Sequence, residues 1–304
     1  MSGVFTVVNL SQLPAPNVVE TLSFETILAE ILADFYERMA STGHPFTALL
    51  ESDPAYKLAE CAAYREILVR QRVNESAKAV MLAYATGADL DQLGANVNVA
   101  RLTITPADDT TVPPTPVVME ADDDFRARIQ LSPEAYTTAG SEGSYIFHAL
   151  GADADVKDVQ AVSPTPGVVT VYVLSRTGNG TAPQTLLDKV DVTLNAETVR
   201  PMTDQVVVQA ASIVGYQIKA ELVLYPGPDA NVVLQAAKDA VTTYAGSVRR
   251  IGYDVTLSGL YAALHQTGVQ SLNLIAPSSS LIIGDGQASH ATLITVTVAG
   301  TNNV

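Results

Sequence analysis

Tryptophan is absent from the 304 residues and cysteine occurs once, as Cys61. A lone thiol closes no internal disulfide and completes no cysteine-based zinc site. Cys61 sits in a helical pattern with Ala62, Tyr64, Ile67 and Leu68 after it, and no His or Cys-x-x-Cys partner lies nearby in sequence. The expected role is a small buried hydrophobe rather than a nucleophile. Without tryptophan the chain lacks a side chain that sugar sites often use for stacking, which counts against a glycosidase built on paired carboxylates. Positive charge is scarce too: 17 basic against 32 acidic residues leave a formal charge of -15. A field of that sign repels phosphate backbones and anionic head groups, so neither nucleic acid nor a membrane surface is an expected partner. No apolar run approaches the roughly 18 residues needed to span a bilayer. The opening MSGVFTVVNL has no basic region followed by an apolar run and a cleavage site, so a soluble product made in the cytosol is expected.

Chemical signatures are missing as well. His44, His148, His265 and His290 show no HExxH or i, i+4 pairing. Asp122 to Asp124 lack the alternate spacing and distal Glu of a calcium loop and read instead as a helix cap. The stretches RTGNGTAP and IIGDGQAS match neither a P-loop nor a dinucleotide fingerprint, and no GxSxG elbow is present. No catalytic residue, cofactor site or metal site is expected.

What the chain does have is apolar surface. Hydrophobic residues make up 47% and charged ones only 16%, a balance that points to faces covered by other subunits. From Ser23, the positions Phe24, Ile27, Leu28, Ile31, Leu32, Phe35 and Met39 recur at three and four residues and draw one stripe down an amphipathic helix, ended by Gly43 and Pro45. A second helical pattern runs from about Pro54 to Tyr84, roughly 30 residues and about 45 Å, with Leu58, Tyr64, Ile67, Leu68, Met81 and Leu82 among its apolar members. A short helix, Leu90 to Ala95, follows. Residues 102–124 carry four prolines, six acidic side chains and no basic one, which reads as an extended, self-repelling linker.

Beyond the linker the pattern alternates. Helical stretches at Phe125 to Ile129 and Tyr145 to Leu150 precede strand-like Val156 to Val162 and Val168 to Leu174, the latter with the period of two of a half-buried strand. A helix from Gln184 to Glu197 leads to a strand in DQVVVQAA. Then come a strand, Gln217 to Leu224, helices at Asn231 to Tyr244 and Leu257 to His265, and strands near Val269 to Ile275 and Leu293 to Val298. IFHALGADADVKDVQAVSP aligns with YAALHQTGVQSLNLIAP, pairing Val156 with Val269 and Pro164 with Pro277, so the two halves are candidates for related modules. The fold class is α+β: an N-terminal helical region with a long helix (1–101), an acidic Pro-rich linker (102–124), and two small α+β sandwich modules (125–212 and 213–304). The basic side chains concentrate at Arg65, Arg70 and Arg72 and at Arg249-Arg250, either as a solvated face or as ion-pairing points for acidic neighbours.

The joint order of NLSQLPAPNVVETLSFETILAE, YATGADLDQLG, DDDFRARIQLSPEAYTTAGSEGSYIFHAL, VSPTPGVVTVYVLS and LNAETVRPMTDQVVVQAA resembles the baseplate J-like family of contractile-tailed phages along nearly the whole chain. The last segment carries most weight: a helix end passes through Val199-Arg200-Pro201 to Thr203-Asp204 and into a strand. The resemblance implies a structural wedge subunit of the virion tail baseplate, assembled in the bacterial host cytoplasm. Its implied partners are further copies of itself, a fibre-connecting baseplate wedge protein, and sheath-initiating and hub or spike baseplate proteins. A candidate face for bundling with partner helices consists of Phe24, Ile27, Leu28, Ile31, Leu32, Phe35 and Met39, with Tyr64, Ile67 and Leu68 from the long helix. The rival readings are a tail-associated cell-wall hydrolase, which needs convergent titratable groups in a pocket, and a receptor-binding fibre or adhesin, which needs β-rich repeats.

Overall fold

A computed structural model of the chain describes residues 8–10, 13–14, 16–43, 50–137, 139–227 and 229–301. His44 and Pro45 lie outside them. The described residues divide into two compact units, one of residues 8–101 with 122–129 and the other of residues 102–121 with 130–301.

The first unit is helical. Helix α1, Phe24–Ser41, starts where the Ser23 hydroxyl accepts the Thr26 N–H at 3.3 Å, meeting one of the donors that a helix start leaves open. Its stripe buries Ile27 and Leu28 against Ala59 and Ala63 of α2, Pro54–Ala79. The two alanines present almost no side chain, so the helices approach closely. Each buried Ile or Leu side chain contributes about 1.5–3 kcal/mol.

Helix α2 stops at Ala79, short of Tyr84. The Met81 N–H closes a tight turn onto the Lys78 carbonyl, and the carbonyls of Leu82 and Ala85 accept the Arg126 guanidinium at 2.7 and 2.8 Å. The Arg126 contacts hold the turn that follows the helix. Cys61 is exposed, contrary to the expectation of burial: the packed face of α2 is Ala59, Ala63 and Ile67, and two residues along a helix turn a side chain some 200° away.

Helices α3, Gly87–Asn96, and α4, Asp122–Leu131, complete this unit. Phe125 is fully buried against Gly94, where an added Cβ would lie 2.5 Å from the ring and 2.6 Å from the Val99 carbonyl oxygen. Glycine is therefore what lets α4 seat on α3.

In the second unit, residues 102–121 are not the extended linker that their acidity suggests. Strands β1, Thr103–Thr105, and β2, Val118–Met119, pair antiparallel, and Asp108 and Thr115 exchange two backbone bonds of 2.9 Å. Glu120, 2% exposed, accepts the Leu102 N–H at 3.1 Å. The Asp108 carboxylate accepts the Thr110 N–H at 2.9 Å, an Asx turn that closes the loop. Local carboxylate bonds of this kind offset the charge repulsion that the composition alone suggests.

Two α+β modules follow. In the first, α5 (Glu142–Ala152) and α6 (Gln184–Leu194) cover a sheet ordered β3 (Val156–Thr165), β4 (Val168–Ser175), β5 (Gln205–Ala210); β3 runs antiparallel to β4 and β5 parallel. Tyr145, Ala149, Leu186, Val190 and Leu194 pack on Val159, Ala161, Val171, Val173 and Val206. In the second, α7 (Ala230–Ser247) and α8 (Leu257–Leu264) cover a sheet in which β6 (Ser212–Leu224) lies between antiparallel β7 (Val269–Ala276) and parallel β8 (Gln287–Thr301). Both sheets place a central strand between one antiparallel and one parallel neighbour, yet the elements come in different chain orders. Tandem copying of one module would have preserved the order.

Candidate assembly surfaces

Of the ten stripe residues expected to bundle with partners, six serve the chain's own core: Ile27 and Leu28 are buried, and Phe24, Ile31, Leu32 and Ile67 flank them. Phe35 and Met39 are half-buried, and Tyr64 and Leu68 are exposed. A second apolar face lies on the side of α2 turned away from α1. Leu58, Val69 and Val73, with Val80 just past the helix end, are 56–73% exposed and fall on one side of the helix, but Arg65, Arg72 and Lys78 interleave with them in sequence, which blurred the pattern. Arg70 is held within the unit, 2.6 Å from Glu66 and 3.4 Å from Glu20, and Arg72 lies 3.7 Å from Glu75.

The start of α3 is an electrostatic clamp. Arg101 pairs with Asp91 and Asp122, each at 2.7 Å, and its guanidinium lies 4.7 Å from the centre of the Phe125 ring. Asp122 also accepts the Gly87 N–H at 3.1 Å, so it caps α3 as well as opposing the dipole of its own helix. Burial works to raise the Asp122 carboxyl, but the Gly87 N–H and Arg101 outweigh it and hold the group below the usual carboxylate range. A depressed carboxyl contributes stability that is fully present above its unfolded value, about 4, and is lost as pH falls through the folded value. The stability difference between the wild type and Asp122→Asn is therefore expected to be constant at neutral pH and to shrink below about pH 4. Urea titrations across that range, followed by helical circular dichroism, provide the check.

The two α+β modules are fastened along a seam. Only Ala211 separates β5 from β6, and its N–H donates to the Val173 carbonyl at 2.9 Å. Leu174, Ala211, Ile251 and Ala288 form one small core across the junction. The Gln160 side chain, 9% exposed, donates to the Asp285 carboxylate at 2.8 Å and accepts the Gly286 N–H at 2.7 Å. Asp158 accepts the Ile251 N–H at 2.7 Å, and Arg249 donates to the Gly178 carbonyl at 2.9 Å. Burial raises the Asp158 carboxyl, with the Ile251 N–H and Arg250 opposing it. Arg249 thus lies at an internal junction and the exposed Arg250 stands beside it over the Tyr253 ring, so of the five concentrated arginines Arg65 and Arg72 remain on an open helix face.

The segment Val199 to Asp204 has a structural task in the first module. Asp204 accepts the Tyr145 hydroxyl at 2.7 Å, and Arg200 donates to the Asp204 carbonyl at 2.9 Å, which pins α5 to the entry of β5. Burial and the Asp204 carboxylate both push the Tyr145 hydroxyl up, so it stays a donor across the working pH range. Among the described residues no three His, Cys, Asp or Glu side chains converge as a metal site, and no helix is long and apolar enough to cross a membrane.

Three family models match the chain: the Baseplate J-like N-terminal domain over residues 51–108, the Baseplate J-like central domain over 137–210, and the Baseplate J-like protein C-terminal domain over 216–298. The central and C-terminal matches fall on the two α+β modules. The chain is also similar to Baseplate protein J of Escherichia phage P2, with 50% identity over 299 residues that cover 97% of this chain and 99% of that protein.

Proposed function

The chain belongs to the baseplate J-like family, and from that membership we propose that it is a structural subunit of a contractile tail baseplate, a wedge component that links hub, sheath and fibre proteins and performs no chemistry of its own. The observation that carries the reading is the end-to-end likeness to the P2 protein. The exposed apolar face of α2 and the low charge content support it physically, because both leave surface for neighbouring polypeptides to cover. Its partners are further copies of itself, a fibre-connecting wedge protein, and sheath-initiating and hub or spike proteins. The helical part, 1–101, supplies the bundling face; residues 125–212 and 213–304 supply the two α+β bodies of the ring.

In this reading the ring rearranges on contraction by rigid-body movement, and the two α+β modules travel together. A single residue joins their sheets, and buried bonds cross the seam. A change of position between modules would have to break several of these at once. Deleting the gene and imaging the lysate tests the assignment. Missing or disordered baseplates are expected; normal contractile tails with intact baseplates would defeat it.

A further inference from the structure

In a chain with 32 acidic side chains against 17 basic ones, a half-buried arginine that faces no carboxylate is out of keeping. Arg38, Arg70 and Arg101 each hold a carboxylate at 2.6 to 2.8 Å. Arg249 holds none among the described residues. Its hydrogen bond runs from an Nη nitrogen to the Gly178 carbonyl at 2.9 Å, and its Nε–H is buried with no partner among those residues.

The surroundings make the place more positive. The Ser289 hydroxyl donates to the Val248 carbonyl at 3.2 Å, so the residues that follow each of these, His290 and Arg249, come close together. Burial, Arg249 and Lys157 of β3 hold the His290 imidazole below the usual histidine range, and burial alone lowers Arg249. No carboxylate is among the groups acting on either. Asp158, the buried acid of this seam, accepts the Ile251 N–H and faces Arg250 and Lys157 instead. Three cations thus arrive from β3, from the segment after α7 and from β8.

Taking water from a guanidinium costs free energy that one carbonyl bond returns only in part. The same partial desolvation makes the group a better receptor for an anion, because their attraction is less screened than in water. The Gly178 bond fixes the guanidinium plane and leaves its outer edge for an acceptor with two oxygens side by side, which is the shape of a carboxylate. A formal charge of -15 opposes a polyanion such as nucleic acid, and it opposes a second copy of this chain as well. What fits is one acidic side chain on a different polypeptide.

We propose that Arg249, with His290 beside it, is a docking point for an Asp or Glu side chain of a different baseplate polypeptide. The proposal rests on the baseplate reading, which supplies the neighbour, and adds the chemistry by which that neighbour is held at the seam.

The test uses particles whose own gene is deleted and supplied in trans. His290→Glu sets a carboxylate beside Arg249 from within the chain and leaves the Gly178 bond untouched. Its thermal midpoint is expected to equal or exceed that of the wild type, while the yield of complete baseplates falls about tenfold or more. A purely structural role for these cations predicts a protein that is as stable and assembles normally. Revertants of Arg249→Glu that regain particle activity are expected to carry an Asp or Glu to Lys or Arg change in another tail polypeptide. Wild-type yield from His290→Glu overturns the docking point, even if inorganic phosphate stabilises the wild-type chain. A lowered midpoint of His290→Glu overturns it too, since no uncompensated cation would then stand there, and so do revertants confined to this chain. In each of these cases the wild-type gene still restores the particle and the subunit assignment stands; that assignment falls only if the deletion itself leaves baseplates intact.

Discussion

Phe125→Ala is expected to destabilise the helical unit by about 3–5 kcal/mol, the usual loss for a fully buried phenylalanine. The ring touches the bare backbone of Gly94 and lies beneath the Arg101 guanidinium, so truncation leaves a void and removes the surface on which that cation rests. The void cannot close easily, because Arg101 is tied to Asp91 and Asp122. Hydrogen exchange of the α3 amides should show the loss directly. Gly94→Ala should be harmful alone, through its 2.5 Å approach to the ring and its 2.6 Å approach to the Val99 carbonyl oxygen, and less harmful in the Phe125→Ala background, where the first of these clashes is gone and the second remains. Additive effects of the two changes would contradict the contact as described.

Gln160→Ala should have the next largest effect, about 2–4 kcal/mol, because it strands a buried Gly286 N–H and removes a charge-assisted bond to Asp285. The loss is expected as opening along the seam, not as melting of either module's core. Exchange protection should fall around Gly286 and Ile251 and persist at Val171 or Ile218. Gln160→Glu discriminates further: it keeps an acceptor for the Gly286 N–H but sets a second carboxylate beside Asp285, so it should be worse than Gln160→Leu at neutral pH and recover as pH falls and the pair takes up a proton. Denaturant midpoints of the three variants at pH 7 and pH 5 are the measurement.

Much of this architecture was legible in the residues because it follows from local periodicity. The α1 stripe from Phe24 to Met39 and the alternation in Val168 to Leu174 announce a helix and a half-buried strand without reference to anything distant. The resemblance supplied the family. What was not legible is where distant groups decide. The turn after Ala79 is held by Arg126, more than forty residues on, through the Leu82 and Ala85 carbonyls. Residues 102–121 fold back because Asp108 and Glu120 find backbone N–H groups, which a count of charges cannot foresee. Gln160 and Asp285 are 125 residues apart, and no pattern in either neighbourhood marks them as partners. Cys61 was misread for a different reason: its neighbours are apolar on both sides of the helix, so composition could not say which side faced inward.

The parallel match of β6 with β8 also sets the schedule by which the molecule can form. β6 leaves the ribosome before two helices and β7, yet its long hydrogen-bonded neighbour emerges after all of them. Until then β6 has only β7 to hold it, and closing so wide a loop is slow compared with forming a hairpin. The second module is therefore expected to mature late, after synthesis has passed Thr301, whereas the β3–β4 hairpin can form as soon as it is exposed. A nascent chain arrested before β8 should carry a protease-resistant first module and a labile second one.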